Sequence, residues 1–465
     1  MFKQQTYKER RAELRRRMGG GLILLPGNDE APANYFDNAY AFRQDSTFLY
    51  FFGQNLPGLF GVIDADSGEE TLYGDDFTVD DIIWMGPQPS VAELGAQVGV
   101  SDTRPSAALE QTVRKAVRQG RPVHFLLPYR GLTQIRLARL LGVDVAALAD
   151  RMSVDLIINV AAMREVKSAE EIEEMERAFD IGYRMHTTAM KMCRPGVTER
   201  EIAGAIEGVT KQYGWGVSFH SIVSQHGETL HNHCHDGVLE SGRMLLCDAG
   251  GETVNNYCSD HTRTYPVGGR FSQRQKDVYE VVLAAHDHVA AMVAPGMMYR
   301  DVHTASYRVL AEGLVSLGLL RGNADDAVAA GAVSLFMPHG LGHGLGMDVH
   351  DCEAMGERGL RNFDIVAERA AEIDTCILRN NWRLRPGTVM TDEPGLYFIP
   401  AYAAKWRSEG KCRDFIDYDL LETYFDFGGV RIEDDILITG EGRRMLGGGR
   451  HIPVTVAEIE EFMGR

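Results

Sequence analysis

The chain has 465 residues, of which 44% are hydrophobic and 25% charged, and its formal net charge is −18. This length exceeds what one hydrophobic core supports, so it predicts two or three domains. No apolar run is long enough to cross a bilayer, and an acidic protein repels phosphate backbones. We therefore expect neither a membrane span nor a nucleic-acid partner.

The amino-terminal segment is basic, and the short apolar stretch after it ends at Pro26-Gly27. Because that stretch is too short for a secretory signal, we expect a solvated amphipathic helix rather than a targeting segment. The seven cysteines are odd in number and include no CxxC pair, which is typical of free thiols in a reducing compartment and predicts a cytoplasmic location. Cys234, Cys247 and Cys258 are expected to be small buried packing residues.

Residues 1–165 predict an α/β domain. The stretches GLILLPG and LFGVIDADSGEETLYG have the apolar content and turn residues of strands, whereas TVRKAVRQG and GLTQIRLARLLG have helical periodicity. PVHFLLP lies between the two helices and continues the alternation. This domain contains no constellation of chemically active residues in its sequence pattern.

Residues 166–465 predict a second domain built from a repeated unit. Two helices with capping boxes come first, one begun by Ser168 with Glu171 and one by Thr198 with Glu201. A second pair of helices follows about a hundred residues later, and this recurrence indicates an internal repeat. Each pair leads into a stretch with histidine and glycine, HGETLHNH and then MPHGLGHGLG. We expect a duplicated helix, helix, sheet unit with pseudo-twofold symmetry.

Acidic residues and histidines in the second domain suggest a metal centre. RMLLCDAGG places Asp248 at the end of an apolar strand, and a hairpin would bring it beside Asp260 in the next strand. Alone, each acid could be an exposed residue at a strand end. Together, buried carboxylates need cations, and an oxygen-rich set with one imidazole suits manganese, cobalt or iron. The candidate ligands are Asp248, Asp260, Glu393, Glu433 and a histidine of the stretch MPHGLGHGLGMDVHD.

The stretches CDAG, SDHTRTYP, HGLGHGLGMDVHD, DEPGLY and VRIEDD, in this order, resemble the pita-bread metallopeptidases, in particular the aminopeptidase P and prolidase branch. The resemblance implies an α/β N-terminal domain at 1–165 and an α+β pita-bread (creatinase/aminopeptidase-like) catalytic domain at 166–465. It also implies two divalent metal ions held by Asp248, Asp260, His343, Glu393 and Glu433, with Asp260 and Glu433 as the bridging ligands. Mn²⁺ is the expected ion, with Co²⁺, Fe²⁺ or Zn²⁺ as alternatives.

The resemblance further implies how the other residues act. Glu393 would also move the proton, and His350 and His231 would stabilise the reacting carbonyl; His339, Tyr397 and Arg431 match positions near the substrate. The implied activity is that of an Xaa-Pro aminopeptidase acting on peptides with proline at the second position. The alternatives are an Xaa-Pro dipeptidase and, more remotely, a metal-free peptide- or protein-binding module. A homodimer or larger homo-oligomer is implied.

Other histidines have simpler interpretations. The segment HNHCHD could form a separate metal site because alternate strand residues share a face, although exposure is the simpler explanation. His261 is expected to be structural, His286 and His288 to be solvated on their helix, and Arg263 to pair with a carboxylate. The segment 351–385 resembles an insertion at the cleft rim. If HGLGH is a strand, His339 and His343 share a face, and the chain must bend before His350.

Overall fold

The structure is a computed structural model, and it describes residues 1–35, 37–356, 368 and 382–464. The described chain divides into two compact units, residues 1–163 with 354–356 and 368, and residues 164–353 with 382–464. Most of the predicted insertion at 351–385 therefore lies outside the described residues. Within the described residues, none of the helices combines the length and the apolar character that a bilayer crossing requires.

The first unit is built around a five-stranded mixed sheet. Its elements are α1 (Gln4–Met18), β1 (Leu22–Pro26), β2 (Pro32–Tyr35), β3 (Asn38–Ala39), α2 (Ser46–Phe52), β4 (Phe60–Asp64), β5 (Glu70–Tyr73), α3 (Val79–Met85), α4 (Val91–Gln97), β6 (Asp102–Arg104), α5 (Ala108–Arg118), β7 (Val123–His124), α6 (Gly131–Leu141) and α7 (Val154–Glu165). The strand order is β6-β5-β4-β1-β7, with β1 antiparallel to β4 and parallel to β7. This unit has the predicted α/β architecture.

The basic amino-terminal helix forms as predicted, but it is not wholly solvated. Arg11 in α1 is fully buried and donates to Glu70 Oε2 at 2.7 Å and to two backbone carbonyls. A buried guanidinium is tolerated because these acceptors replace its water.

The second unit consists of two halves, each of which begins with a pair of long helices that strands follow. The first half has α8 (Ala169–Met192), α9 (Glu199–Tyr213), β8 (Gly216–Val217), β9 (Ile222–Ser224), β10 (Met244–Asp248), β11 (Gly251–Glu252) and β12 (Thr262–Pro266). The second has α10 (Gln273–Met292), α11 (Tyr299–Ser316), α12 (Ala324–Ala329), β13 (Val389–Asp392), β14 (Gly395–Tyr397), α14 (Pro400–Ser408), α15 (Tyr418–Glu422), β15 (Gly429–Arg431), β16 (Asp434–Thr439), β17 (Gly442–Met445) and α16 (Val456–Met463). The short helix α13 (Glu353–Gly356) lies before β13 in the chain, and its residues from 354 onward belong to the first unit.

Each half combines a packed helix pair with a three-stranded antiparallel sheet. The sheets are ordered β12-β10-β9 and β13-β16-β17, and a bridge between Thr262 and Glu433 links them. The duplicated unit is therefore present as predicted. Both predicted capping boxes form, because Ser168 and Thr198 each exchange hydrogen bonds with the glutamate three residues later.

The sequence interpretation was wrong about one strand: Asp260 lies two residues before β12 rather than within a strand. HGLGH, a strand only by one interpretation, lies outside the strands, and the neighbouring Gly344 forms a bridge with Met390. Gly342 explains the second case: a Cβ there would lie 2.3 Å from the Thr391 carbonyl oxygen. The chain lies directly against β13, where Thr391 N donates to the His343 carbonyl at 2.9 Å, and only glycine fits at position 342.

Candidate metal centre

The centre forms where the two sheets meet. Asp248 ends β10, and Asp260 precedes β12, which pairs with β10 in the predicted hairpin. The Thr262 carbonyl accepts a hydrogen bond from Glu433 N at 3.0 Å, and the Thr262 hydroxyl donates to Glu433 Oε2 at 2.7 Å. This contact brings a carboxylate of the second half against the two carboxylates of the first.

Asp260, His343 and Glu433 each offer one ligand atom, and these atoms lie within 4.8 Å of one another. His343 Nε2 is 3.4 Å from Asp260 Oδ2 and 3.7 Å from Glu393 Oε1. His343 Nδ1 lies 3.1 Å from the Gly344 carbonyl oxygen, which can only accept, so Nδ1 carries the proton in the neutral ring. The lone pair of Nε2 then faces two carboxylates, and a cation between them removes the repulsion.

Two further carboxylate oxygens at this place also fit a cation. Asp248 Oδ1 and Asp260 Oδ1 are buried and accept no hydrogen bond from the residues that the structure describes. Burial, and then the negative charge of Asp248, raise the pKa of Asp260 well above its usual range. Burial, and then Asp260, do the same for Glu433. Carboxylates that are this costly to ionise are the oxygen donors that hard or borderline divalent ions bind.

A hydrogen-bonded chain runs from Asp248 to His339. Arg431 Nη2 donates to Asp248 Oδ2 at 2.6 Å, and Arg431 Nη1 donates to the Tyr397 oxygen at 2.8 Å. The Tyr397 hydroxyl lies 2.8 Å from His339 Nε2, and His339 Nδ1 lies 2.7 Å from the Gly340 carbonyl. The carbonyl requires a proton on Nδ1, so Nε2 accepts from Tyr397. Burial, and then Arg431, lower the pKa of His339 to about 3, which keeps this imidazole neutral.

The remaining predicted residues lie on more open parts of the site. The His350 ring stacks on the His343 ring with centroids 3.8 Å apart and an 18° interplanar angle, so the chain does bend after the glycines. His350 Nδ1 also contacts Glu353. Glu393 Oε2 lies 3.9 Å from His339 Nδ1, which places its carboxylate between His339 and His343. His231 is exposed, on a loop after β9.

Behind the centre lies a buried cluster of charged residues. Arg263 Nη2 lies 2.9 Å from both Asp434 oxygens, so Arg263 pairs with a carboxylate as predicted. His261 is fully buried with its ring edge against Phe179. Asp435 Oδ2 accepts a hydrogen bond from the Asp260 backbone N–H at 3.3 Å. These contacts hold Asp260 from behind.

Two expectations for individual side chains were wrong. His286 is buried, not solvated, because it lies on the inner face of α10, where its Nε2 is 3.1 Å from Asp434 Oδ2. His288 on the same helix is exposed, as predicted. Cys234 is exposed because it lies in a surface loop, with its thiol 3.2 Å from Asp236 Oδ2, whereas Cys247 and Cys258 are buried as predicted.

Sequence reasoning missed a buried ion network next to His350. Asp351 Oδ1 accepts from Arg164 Nη2 at 2.6 Å, and Asp351 Oδ2 accepts from Lys167 Nζ at 3.1 Å. Arg164 also reaches Asp348 Oδ2 at 2.8 Å. The stretch MREVK does contain two basic residues three positions apart before a helix. The local sequence does not indicate which acidic residue pairs with them.

Sequence reasoning also missed His303, whose Nδ1 accepts a hydrogen bond from the Leu341 N–H at 3.2 Å. This contact holds the backbone between His339 and His343. The ring of His303 in turn contacts the ring of Tyr307, with centroids 4.2 Å apart and an interplanar angle of 47°. A histidine on an amphipathic helix carries no sequence signal for such a role.

The second unit repeats a helix pair and a sheet, and buried carboxylates and a histidine lie where its halves meet. This combination defines the class of the protein, a metallohydrolase of the pita-bread fold. Residues 173–440 match the family described as Metallopeptidase family M24, and residues 7–124 match the domain described as Aminopeptidase P, N-terminal domain. The chain belongs to metallopeptidase family M24.

Individual relatives are similar over nearly the whole chain. A human protein named Xaa-Pro dipeptidase is 31% identical over 456 residues, which are 96% of this chain and 89% of that protein. An Aspergillus fumigatus protein named "Probable Xaa-Pro aminopeptidase pepP" is 32% identical, over 95% of this chain and 92% of its own. The solved structure of Pseudomonas aeruginosa aminopeptidase PepP has a TM-score of 0.81 and 30% identity, covering 100% of this chain and 98% of that one. The predicted two-domain fold is thus confirmed.

Proposed function

We propose that the protein is a metal-dependent Xaa-Pro aminopeptidase, which releases the residue before a penultimate proline. The observation that carries the proposal is the convergence of Asp260, His343 and Glu433 in a family M24 chain. The peptide bond before proline has no N–H, so an active site that relies on a hydrogen bond from the scissile N–H cannot bind this substrate in that way. A site that acts on the carbonyl oxygen does not depend on the missing N–H.

We propose that two divalent ions, Mn²⁺ by expectation, are held by the five predicted ligands Asp248, Asp260, His343, Glu393 and Glu433. Asp260 and Glu433 are the shared ligands in this assignment. It is supported by the buried oxygens of Asp248 and Asp260 and by the inward-facing Nε2 of His343. When bound, such ions polarise the scissile carbonyl and lower the pKa of a water.

The protein side chains supply proton transfer and orientation. Glu393, between His339 and His343, takes the proton of the attacking water and delivers it to the proline nitrogen, which must be protonated to leave. His350 and His231 donate hydrogen bonds to the scissile carbonyl as negative charge develops on it, a contribution of about 3 kcal/mol per donor in comparable sites. Neutral His339, fixed by Tyr397 and Arg431, contacts the substrate.

The experiment compares cleavage of an Xaa-Pro dipeptide, an Xaa-Pro-Yaa-Yaa tetrapeptide and a tetrapeptide with alanine in place of proline, using Mn²⁺-loaded protein. We expect release of the first residue from the proline tetrapeptide and little from the alanine control. Activity confined to the dipeptide would instead identify an Xaa-Pro dipeptidase. Loaded protein that cleaves none of the three would support the binding-module alternative.

We also propose that residues 1–165 and 166–465 act as the N-terminal and catalytic domains of a cytoplasmic homodimer or larger homo-oligomer. The two family matches, at 7–124 and 173–440, support the division. Mass photometry of the purified chain tests the assembly, and a single species at the mass of one chain would contradict it.

A further inference from the structure

The helix α11 contacts the segment of chain that carries two of the proposed site histidines. Residues 337–343, called here the histidine segment, contain His339 and His343 and lie outside the strands. The segment also has glycine at positions 340 and 342. Glycine loses more conformational freedom on folding than any other residue, so this segment needs contacts from elsewhere in the chain to keep one path.

Two residues of α11 hold the histidine segment at two points. His303 Nδ1 accepts a hydrogen bond from the Leu341 N–H at 3.2 Å, and the Tyr307 hydroxyl donates to the Met337 carbonyl at 2.6 Å. The two helix residues are four positions apart, so they lie on one face of α11. The two points that they hold are also four positions apart, and His339 lies midway between them.

Both contacts satisfy backbone groups that water does not reach. Leu341 and Met337 are fully buried, so their backbone groups depend on a partner from the protein. Burial lowers the pKa of His303, which keeps its ring neutral and leaves the lone pair of Nδ1 as the acceptor. The rings of His303 and Tyr307 contact each other, so each side chain limits the movement of the other.

The other side of the histidine segment faces the chain around β13. The Leu341 carbonyl accepts a hydrogen bond from the Glu393 N–H at 2.8 Å, and the His343 carbonyl accepts one from the Thr391 N–H at 2.9 Å. The segment is therefore held between α11 on one side and β13 on the other. A shift of Leu341 would move the backbone that carries His343 and loosen the contact with Glu393.

We propose that His303 and Tyr307 are positioning residues, which act on the proposed site through the histidine segment. His303 fixes the backbone between the two site histidines, and Tyr307 fixes the start of the segment. The effect on catalysis rests on the proposed function, whereas the anchoring does not. A misplacement of about 1 Å in an active site can lower the rate about 100-fold, so side chains that neither bind metal nor carry a proton can still determine activity.

The test compares two substitutions of His303 in full-length protein loaded with Mn²⁺. His303→Leu removes the acceptor, whereas His303→Asn places a carbonyl oxygen near the position of Nδ1 and retains the hydrogen bond. Thr304→Leu is the matched control, because its side chain is exposed on the same helix. We expect kcat/KM for the proline tetrapeptide, per loaded chain, to fall about 10- to 100-fold in His303→Leu and to stay within about threefold of wild type in the other two.

Hydrogen exchange gives a readout that does not need activity. The amides of residues 337–343 are followed by mass spectrometry in the same samples. We expect the Leu341 amide to exchange about tenfold faster in His303→Leu and at the wild-type rate in His303→Asn. Tyr307→Phe keeps the ring but loses the hydroxyl, so it should also speed exchange in the segment and lower kcat/KM. Thermal unfolding checks that each variant is folded.

A folded His303→Leu protein with wild-type exchange and wild-type kcat/KM would overturn the proposal. Faster exchange with an unchanged kcat/KM would also overturn the positioning role, because the contact would then only stabilise the fold. The same two outcomes for Tyr307→Phe would remove Tyr307 from it. A wild type that binds Mn²⁺ but cleaves none of the peptides would refute the proposed function instead, and exchange alone would then decide whether α11 holds the segment.

Discussion

The Asp351 carboxylate is predicted to be a main source of stability in the second unit. Its side chain is 1% exposed, and the two cations that it joins, Arg164 and Lys167, are 2% and 3% exposed. Both lie at hydrogen-bond distance, 2.6 Å and 3.1 Å. Asp351→Asn keeps the size of the side chain but removes the charge that both cations share.

Breaking a buried ion pair from one side costs about 3–5 kcal/mol, because the remaining charge stays desolvated. We expect the free energy of unfolding of Asp351→Asn to fall by that amount. Asp348→Asn is the matched control: Asp348 contacts the same Arg164, but its side chain is 43% exposed, and exposed pairs contribute only about 0–1 kcal/mol. Urea unfolding at pH 7, followed by tryptophan fluorescence and circular dichroism with the same metal content, measures both.

The pH dependence gives an independent check. Burial raises the pKa of Asp351, but Arg164 and Lys167 outweigh it, and the net shift is downward. A carboxylate whose pKa is lower in the folded state stabilises the protein fully above its unfolded-state pKa, here about 4. This stabilisation is lost as the pH falls through the folded-state pKa. The wild type should therefore lose its advantage over Asp351→Asn below about pH 4. Equal stability of the two proteins at pH 7 would refute this account of the network.

Three more predictions concern the proposed metal centre and the buried charged residues behind it. Glu433→Gln should lose bound metal and activity together, and a fully active variant with both ions would contradict its shared-ligand role. Tyr397→Phe should lower kcat/KM and cost about 1–3 kcal/mol of stability, since His339 loses its donor; an unchanged kcat/KM would argue against this positioning. Burial lowers the pKa of His286, but contacts with Asp287 and Asp434 outweigh it and raise that pKa to about 10. The stabilisation from His286 is therefore present below about pH 6.5 and is lost as the pH rises to about 10. Unfolding measured across this range should show that loss for the wild type and for His288→Gln but not for His286→Gln.

Local patterns were enough to predict much of the fold. Capping boxes at Ser168 and Thr198 formed because side chain and backbone lie within three residues of each other. The hairpin between Asp248 and β12 followed from two apolar runs close in sequence. Local patterns do not predict a backbone path that depends on residues far away in the sequence. The path near Gly342 is determined by its contact with Thr391, and the periodicity of residues 337–346 does not reveal that contact.

Burial of single side chains was the least predictable feature. His286 looked solvated because a histidine on a polar helix usually is, yet Asp434 lies 148 positions further along the chain and makes its burial tolerable. Cys234 looked buried because cysteine usually is, yet its loop is anchored at the surface. Composition gives the ordinary environment of a residue type, and only its neighbours decide the individual case.

The sequence by itself determined the inventory of the protein: which carboxylates and histidines are available, in which order, on which repeated unit, and in which family. Only the tertiary structure decided which nitrogen of His343 faces Asp260, that Arg431 spans from Asp248 to Tyr397, and that Asp351 joins Arg164 to Lys167. The physical reason is the range of the interactions. Caps and turns are made by neighbours, whereas the charges of the centre are balanced by residues up to 183 positions apart, which meet only after the sheets have formed.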